Sequence, residues 1–336
     1  MATPPHAGQL PLFGGSAPKS CISSAPVSER VQSLARRLPP RVYLGTSSWS
    51  FPGWDGLVYG HAYPKAALAR EGLTAYARHP LLGSVGLDRT FYGPIEAERF
   101  AQYAAEVPDD FRFLAKAHAA CTLARFPDHP RYADRRGQHN PQWLDPHYAI
   151  DAVVGPFIEG LGAKAGVLLF QFSPQDEQAL GGRHGFPEKL HAFLSRLPRG
   201  PAYAVELRNH KLATPAYRAA LADSRTLHCV SVHPTMPDVR TQAQQLQVLD
   251  APGLVVRWML NPRMRYEAAR RYYHPFDTLV DPDLIARHAI AELVRTMSER
   301  GRPSLVIVNN KAEGCAPLSI EALAEVVVGD SHQETP

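Results

Sequence analysis

The sequence predicts a closed (β/α)8 barrel, and three observations predict it. Eight short apolar runs punctuate the chain: VYLGT (42–46), SVGLD (84–88), RFLAK (112–116), GVLLFQ (166–171), AYAVE (202–206), LHCVSV (227–232), LVVRWM (254–259) and SLVIVN (304–309). Each has the length of a strand and is rich in β-branched or aromatic residues. The runs are continuous rather than alternating, as expected of strands covered on both faces in a parallel sheet. Most of the spacers between them carry a helical pattern, so the βα unit repeats around a barrel. Such barrels carry their sites at the C-terminal ends of the strands. There the chain places Thr46, Asp88, Lys116, Gln171, Glu206, His233, Arg257 and Asn309.

Residues 1–40 are rich in Pro, Gly, Ser and Ala and read as a flexible tail, with a short helix at 31–38 ahead of Pro39 and Pro40. The barrel is expected over 41–328 as one domain, followed by a disordered C-terminus at 329–336. Helices are expected at 64–78 and 95–106. The long third spacer, 117–165, opens as an irregular insertion and continues as a helix over 144–161, bent or delimited by Pro146 and Pro156. Further helices follow at 186–197 and 215–223. The spacer 237–252 is too weakly patterned to assign a full helix. The clearest helix is 281–299, with Ile285, Ile290, Leu293 and Met297 along one face. The last, 319–328, would start from Ser319 as N-cap.

Composition narrows the function classes. An apolar fraction of 45% is that of an ordinary globular protein, and no run approaches a membrane span. No secretory signal pattern opens the chain. Cys21, Cys121, Cys229 and Cys315 show no CxxC spacing, which argues against a zinc cluster or disulfide framework and fits the cytoplasm. A net charge of +4 permits an anionic partner without demanding one.

The strand ends assemble a pocket of mixed charge. Lys116, Arg208, Arg257 and Lys311 supply cations, and Asp88, Glu206 and Glu313 supply carboxylates. Thr46, Gln171, Asn309 and Asn310 add neutral hydrogen-bonding groups, while Trp49, Phe91 and Tyr92 offer rings for stacking. Converging cations and aromatics suit an anionic ligand such as a phosphate. Glu206 or Asp88 is the candidate general base, beside Lys116 as the third candidate catalytic residue. Replacing Arg257 or Lys116 by Ala should abolish ligand binding and leave the barrel folded. Asp88, His118, Glu206 and His233 are acceptable ligands for a divalent metal, but no HxH or HExxH spacing organises them, and no cofactor is predicted. Cys315 reads as a packed thiol rather than a nucleophile.

Two loops are basic and should rim the same face. One carries Arg125, Arg131, Arg135 and Arg136; the other carries Arg263, Arg265, Arg270 and Arg271 among Tyr266, Tyr272 and Tyr273. Cations interleaved with rings suit phosphate contacts and base stacking, and the alternative is a solvated charged rim diluted by Asp128, Asp134, Glu267 and Asp277.

The segments GTSSW (45–49), LDRTFYGP (87–94), FLAKA (113–117), LLFQFSP (168–174), YAVELRN (203–209) and NNKAEGCAP (309–317), in this order, resemble the domain of unknown function 72 family, also called YecE-like. The resemblance implies a TIM-type barrel. A likeness between that family and barrel endonucleases of the apurinic-site type implies DNA binding by analogy, although fold does not fix function. The second segment departs from the family's usual VEINSTFY. Gly86 stands for the acidic residue, Asp88 for the asparagine and Arg89 for the serine. Residues two apart on a strand share a face, so Asp88 would return the lost carboxylate.

In the tail, Gln9, Leu10, Leu12 and Phe13 of QLPLF (9–13) resemble the bacterial sliding-clamp-binding pentapeptide, commonly close to QLSLF. The expected function is accordingly in DNA metabolism: nucleic acid or a phosphorylated ligand at the barrel mouth, recruitment by the clamp and, if catalytic, phosphodiester or glycosidic hydrolysis. The alternatives are an enzyme of a sugar or sugar phosphate without a DNA role, and a non-catalytic adaptor tethered to the clamp.

Overall fold

A computed structural model of the chain describes residues 22–329. Eight strands run parallel around a closed barrel: β1 (Val42–Thr46), β2 (Ser84–Leu87), β3 (Arg112–Lys116), β4 (Ala165–Phe172), β5 (Ala202–Leu207), β6 (Leu227–Val232), β7 (Leu254–Trp258) and β8 (Ser304–Val308). Neighbours in sequence are neighbours in space, and β8 closes on β1 with Val42 opposite Ser304 and Thr46 opposite Val308. The expected (β/α)8 barrel is the fold.

Alternation along each strand sorts the side chains into two cores. Leu114, Val167, Leu169, Ala204, Leu227, Cys229, Val255, Leu305 and Ile307 fill the barrel interior. Leu44, Val85, Phe113, Phe170, Val205, Val230, Val256 and Val306 point outward and pack beneath the helices. One interior position admits no side chain: a Cβ on Gly45 would lie 2.0 Å from the Ser84 carbonyl oxygen of β2.

The helices follow the expected order with shifted limits. The first region divides into Lys65–Glu71 and Leu73–Ala77 at Gly72, and the second helix spans Ala97–Ala105. Over 144–161 the chain passes from Pro146–Ala149 through a π-helical turn, Ile150–Val154, into Gly155–Leu161. Pro146 sits in the first turn after the Asp145 cap, where a missing N–H costs nothing, and Pro156 falls just after the π-helical turn within the continuing helix. The next helix is Gly182–Leu194, beginning after the left-handed Gly181 rather than at 186, and Pro215–Asp223 falls where expected.

The weakly patterned sixth spacer does hold a helix, Val239–Leu246, capped by Asp238. Its buried face includes a polar residue. Gln242 accepts from the Ser231 N–H at 3.1 Å and donates to the Ser231 carbonyl at 3.0 Å, so a hydrophobic pattern understates the contact with β6. The clearest helix is Leu284–Glu299, but Ile285, expected on its buried face, is 74% exposed; Ile290, Leu293 and Met297 are buried. The last helix, Ala316–Val328, starts ahead of the expected Ser319 cap, and Ser319 is buried inside it. Pro317 lies in its first turn, and Asn310 Oδ1 accepts from the Ala316 N–H at 2.8 Å.

The tail boundary at residue 40 moves. Residues 22–40 carry the helix Glu29–Arg37, with Ile22, Val31 and Leu34 buried and Arg30 paired to Glu321 and Glu325 of the last helix. Residues 1–21 and 330–336 lie outside the description, and with them the pentapeptide 9–13 and most of the expected C-terminal segment. No helix among the described residues is long and apolar enough to cross a membrane.

Candidate functional site

The barrel mouth is built from strand positions of interior parity. On β5 these are Glu206 and, just past the strand, Arg208; on β7, Arg257; on β3, Lys116; on β4, Gln171; beyond β2, Asp88; and beyond β8, Asn309. Register brings them level, with Gln171 opposite Glu206 on neighbouring strands.

Glu206 lies at the floor, with no exposed surface. Its Oε2 meets Arg257 Nη1 at 2.5 Å, and its Oε1 meets Arg208 Nη2 at 2.5 Å and accepts from the Ser231 hydroxyl at 3.0 Å. Burial by itself would push this carboxyl up. The charges of Arg208, Arg257 and Lys116 outweigh burial and hold it down at about 2. A carboxylate so placed is ionised at neutral pH, with both oxygens occupied. The expectation that Glu206 takes a substrate proton therefore gives way to a positioning part, anchoring two arginines.

Arg257 is wholly buried and bridges the floor to the surface. Nη1 also donates to Gln171 Oε1 at 3.0 Å, and Nη2 lies 3.2 Å from Asp88 Oδ1. Asp88 Oδ1 also meets Lys116 Nζ at 3.1 Å. The Asp88 side chain is 34% exposed and that of Lys116 10%, so this pair, rather than Glu206, meets what enters the mouth. Burial and the Arg257 charge lower the Lys116 amine to about 8, against the opposing pull of Asp88 and Glu206. The Phe91 ring lies 5.3 Å from Lys116 Nζ.

Asp88 stands on the same face as Gly86. A Cβ on Gly86 would come within 3.2 Å of the Ser47 Cα and 3.5 Å of Ile307 Cγ2. A side chain at position 86 would need Ser47 to give by a few tenths of an ångström, whereas the carboxylate at 88 reaches both Lys116 and Arg257.

Arg208 is buried and paired to Glu206, yet its Nη1 has no hydrogen-bond partner among the described residues. Asn309 donates to the Ser47 hydroxyl at 2.7 Å and accepts from Lys311 Nζ at 3.3 Å. Half-buried Lys311 stands 4.6 Å from the Tyr266 ring centre, and burial lowers its amine.

Several expected site residues lie elsewhere. Thr46 has the wrong parity: it faces outward, bonded to the Tyr76 hydroxyl at 2.9 Å and the Ser48 carbonyl at 2.8 Å, and Ser47 takes its place at the mouth. Trp49 is buried, donating to the Leu68 carbonyl and packed edge-on to Tyr103, so its faces are not free for stacking. Asn310 is buried between the Trp54 indole N–H and the start of the last helix. Glu313 pairs with Arg287 at 2.7 Å and accepts from the Asp283 N–H, closing the start of Leu284–Glu299. The Cys315 thiol is buried and pushed up to about 12, as suits a packed thiol.

The four candidate metal ligands are not assembled. Glu206 is saturated by arginines, His118 Nδ1 bonds the Tyr148 hydroxyl at 2.5 Å, and His233 Nδ1 pairs with the Thr235 hydroxyl at 2.9 Å. No group of three or more His, Cys, Asp or Glu side chains suited to a metal ion occurs among the described residues.

The basic rim is present but largely engaged. Arg131 lies 4.1 Å over the Tyr92 ring and Arg135 4.6 Å over Phe126. Together with Phe91 and His118 these residues line a cavity of about 250 Å³. Arg136 pairs with Asp128, Arg263 with Asp281 and Arg270 with Glu267, while Arg265 and Arg271 are exposed. Tyr92, Tyr266 and Tyr272 are exposed; Tyr273 is buried. A larger cavity, about 760 Å³, lies on the flank around Leu221, His228 and Leu246, between Pro215–Asp223 and Val239–Leu246. Sequence reasoning gave no signal for it.

Comparison with known proteins agrees with this architecture. A DUF72 family protein of Enterococcus faecalis V583 superposes with a TM-score of 0.58 at 20% identity, covering 85% of this chain and 95% of its own. One from Thermotoga maritima MSB8 gives 0.56 at 19% identity, covering 85% and 98%. At such identities the likeness shows the fold alone. No curated protein matches the sequence. The family model described as "Protein of unknown function DUF72" matches residues 43–336, and the chain belongs to that family.

Proposed function

We propose that the barrel mouth is a receptor for a small anionic group, a phosphate or carboxylate, and that Arg208, Lys116 and Lys311 receive it over a floor held by Glu206 and Arg257. One observation carries the reading: four cations, Lys116, Arg208, Arg257 and Lys311, gather in a mouth where they face two carboxylates, Asp88 and Glu206. An excess of positive charge in a largely buried mouth is offset by an anion. If the protein turns a substrate over, Asp88 and Lys116 are the groups able to exchange protons, and hydrolysis of a phosphodiester or glycosidic bond remains the reaction class proposed.

Calorimetric titration with ribose 5-phosphate and with a single-stranded DNA dodecamer, at two salt concentrations, tests this. Binding of either anion, weakened tenfold or more in an Arg208→Gln/Lys311→Ala variant, is expected. Failure of the wild type to bind any of these anions would sink the reading.

The stacked Arg131–Tyr92 pair beside the mouth favours a second reading, in which the anion is part of a nucleic acid strand and exposed rings take its bases. Single-strand binding loses affinity with salt at a logarithmic slope of about −0.7 per phosphate contacted. A slope near that of one phosphate would instead favour the sugar-phosphate alternative. Recruitment by the sliding clamp rests on residues 9–13 alone. Its test is calorimetric titration of the clamp with the full chain and with a Leu12→Ala/Phe13→Ala variant: micromolar binding lost in the variant supports it, and equal behaviour removes it. Clamp binding with no turnover on any substrate would leave the adaptor reading.

A further inference from the structure

The geometry points to Lys116 as an imine-forming lysine: its amine would condense with the aldehyde or ketone carbon of an anionic ligand held at the mouth, with Asp88 carrying the protons. This rests on the anion-receptor reading above and goes beyond it by naming the ligand's second functional group.

Three features single out Lys116. It projects from the rigid end of β3 into the interior, where its side chain is only 10% exposed, with the Phe91 ring at 5.3 Å as an apolar wall. Its charge is dispensable to its partner. Asp88 Oδ1 accepts from both Lys116 Nζ at 3.1 Å and Arg257 Nη2 at 3.2 Å, so Asp88 keeps a cation when Lys116 gives up a proton. Its partner is also the one partly exposed carboxylate of this cluster, as a proton carrier must be. The other lysine of the mouth, Lys311, lies over Tyr266 and pairs with a neutral amide, Asn309, instead of a carboxylate.

The step balances without any other reactant. The ammonium passes one proton to Asp88, and the free amine attacks the carbonyl carbon. A C–N bond forms, and the carbonyl π pair moves to oxygen. A second nitrogen proton is transferred to that oxygen, which becomes a hydroxyl. The hydroxyl then takes the proton held by Asp88 and leaves as water, while the nitrogen lone pair closes the C=N bond. Ammonium plus carbonyl thus become protonated imine plus water, with the Asp88 carboxylate restored. Burial prepares the amine: at about 8, against an ordinary 10.5, its unprotonated fraction near neutral pH is roughly 300-fold that of a surface lysine.

The test is reductive trapping of the full chain. Glyceraldehyde 3-phosphate or pyruvate is added with cyanoborohydride at neutral pH, and the adduct is located by peptide mass spectrometry. The same anions are titrated calorimetrically into the wild type, and the trapping is repeated on Lys116→Arg, which keeps the charge but forms no stable imine. Expected is an adduct at Lys116 roughly tenfold or more above that at Lys211, an exposed lysine, and no such excess at position 116 in Lys116→Arg. Binding without preferential labelling of Lys116 overturns the imine and leaves the receptor reading standing. No binding of either anion by the wild type overturns both.

Discussion

Arg257 Nη1 and Glu206 Oε2 meet at 2.5 Å inside the barrel, reaching past β6 from β7 and β5, and neither side chain has any exposed surface. This pair settles which mouth residues can be altered without cost to the fold. Removing one member of a buried pair costs about 3–5 kcal/mol when the other charge is left uncompensated, and here Glu206 keeps Arg208 at 2.5 Å, which makes that figure an upper bound. Arg257→Ala is therefore expected to destabilise the barrel by up to that amount in urea unfolding, contrary to the sequence-based expectation of a folded variant that merely loses ligand. A loss below about 1 kcal/mol would show that the interior relaxes or hydrates around Glu206.

The same pair sets an acid limit. The Glu206 carboxyl is held at about 2 against an ordinary 4.5. A lowered carboxyl contributes stability that is complete above its unfolded value and is lost as pH falls through its folded value. Between pH 4.5 and 2 the wild type should lose about 3 kcal/mol from this group. Glu206→Gln lacks that component, so its unfolding free energy should vary less over the window. Parallel curves for the two proteins would contradict the assignment.

Thr46 and Asn309 separate packing from binding. Thr46→Val removes a hydroxyl bonded to Tyr76 and Ser48 on the outer face and should cost about 1 kcal/mol of stability with anion affinity unchanged. Asn309→Ala frees Ser47 and Lys311 at the mouth and should change affinity more than stability. Denaturation and calorimetry on the two variants check this; reversed outcomes would mean the strand faces are assigned wrongly.

Asp88 raises the Lys116 amine, against the lowering by burial and Arg257. Asp88→Asn removes that support, so the Lys116 value should fall below about 8. Carbon-13 NMR of methylated lysines, titrated against pH in both proteins, reads the direction directly. A rise in the variant would mean that Asp88 does not face the amine.

Much of this was legible in the chain. Continuous runs such as LVVRW and SLVIV, short and rich in β-branched residues, read as strands covered on both sides, and eight of them separated by helical spacers leave few architectures other than the barrel. Lys116, Glu206 and Arg257 were legible as interior-facing charges because a charge within or ending an apolar run must find partners inside. Thr46 was misplaced because the register of β1 is invisible in its five residues, and a slip of one sends the hydroxyl to the helices instead of Ser47 to the mouth. The helix Val239–Leu246 was obscured because a glutamine, Gln242, does its packing through hydrogen bonds to a strand edge.

The sequence by itself determined the barrel, the family and the charged composition of the strand ends, since these follow from local pattern and from motifs in linear order. Only the tertiary structure decided which charge meets which. Glu206 and Asp88 are both carboxylates near strand ends, and nothing local separates them. Closing the barrel puts Glu206 under two guanidinium groups in the dry interior and leaves Asp88 at the edge of solvent beside Lys116. Acid–base character depends on burial and on charges contributed by distant strands. It therefore exists only once β3, β5 and β7 are brought together.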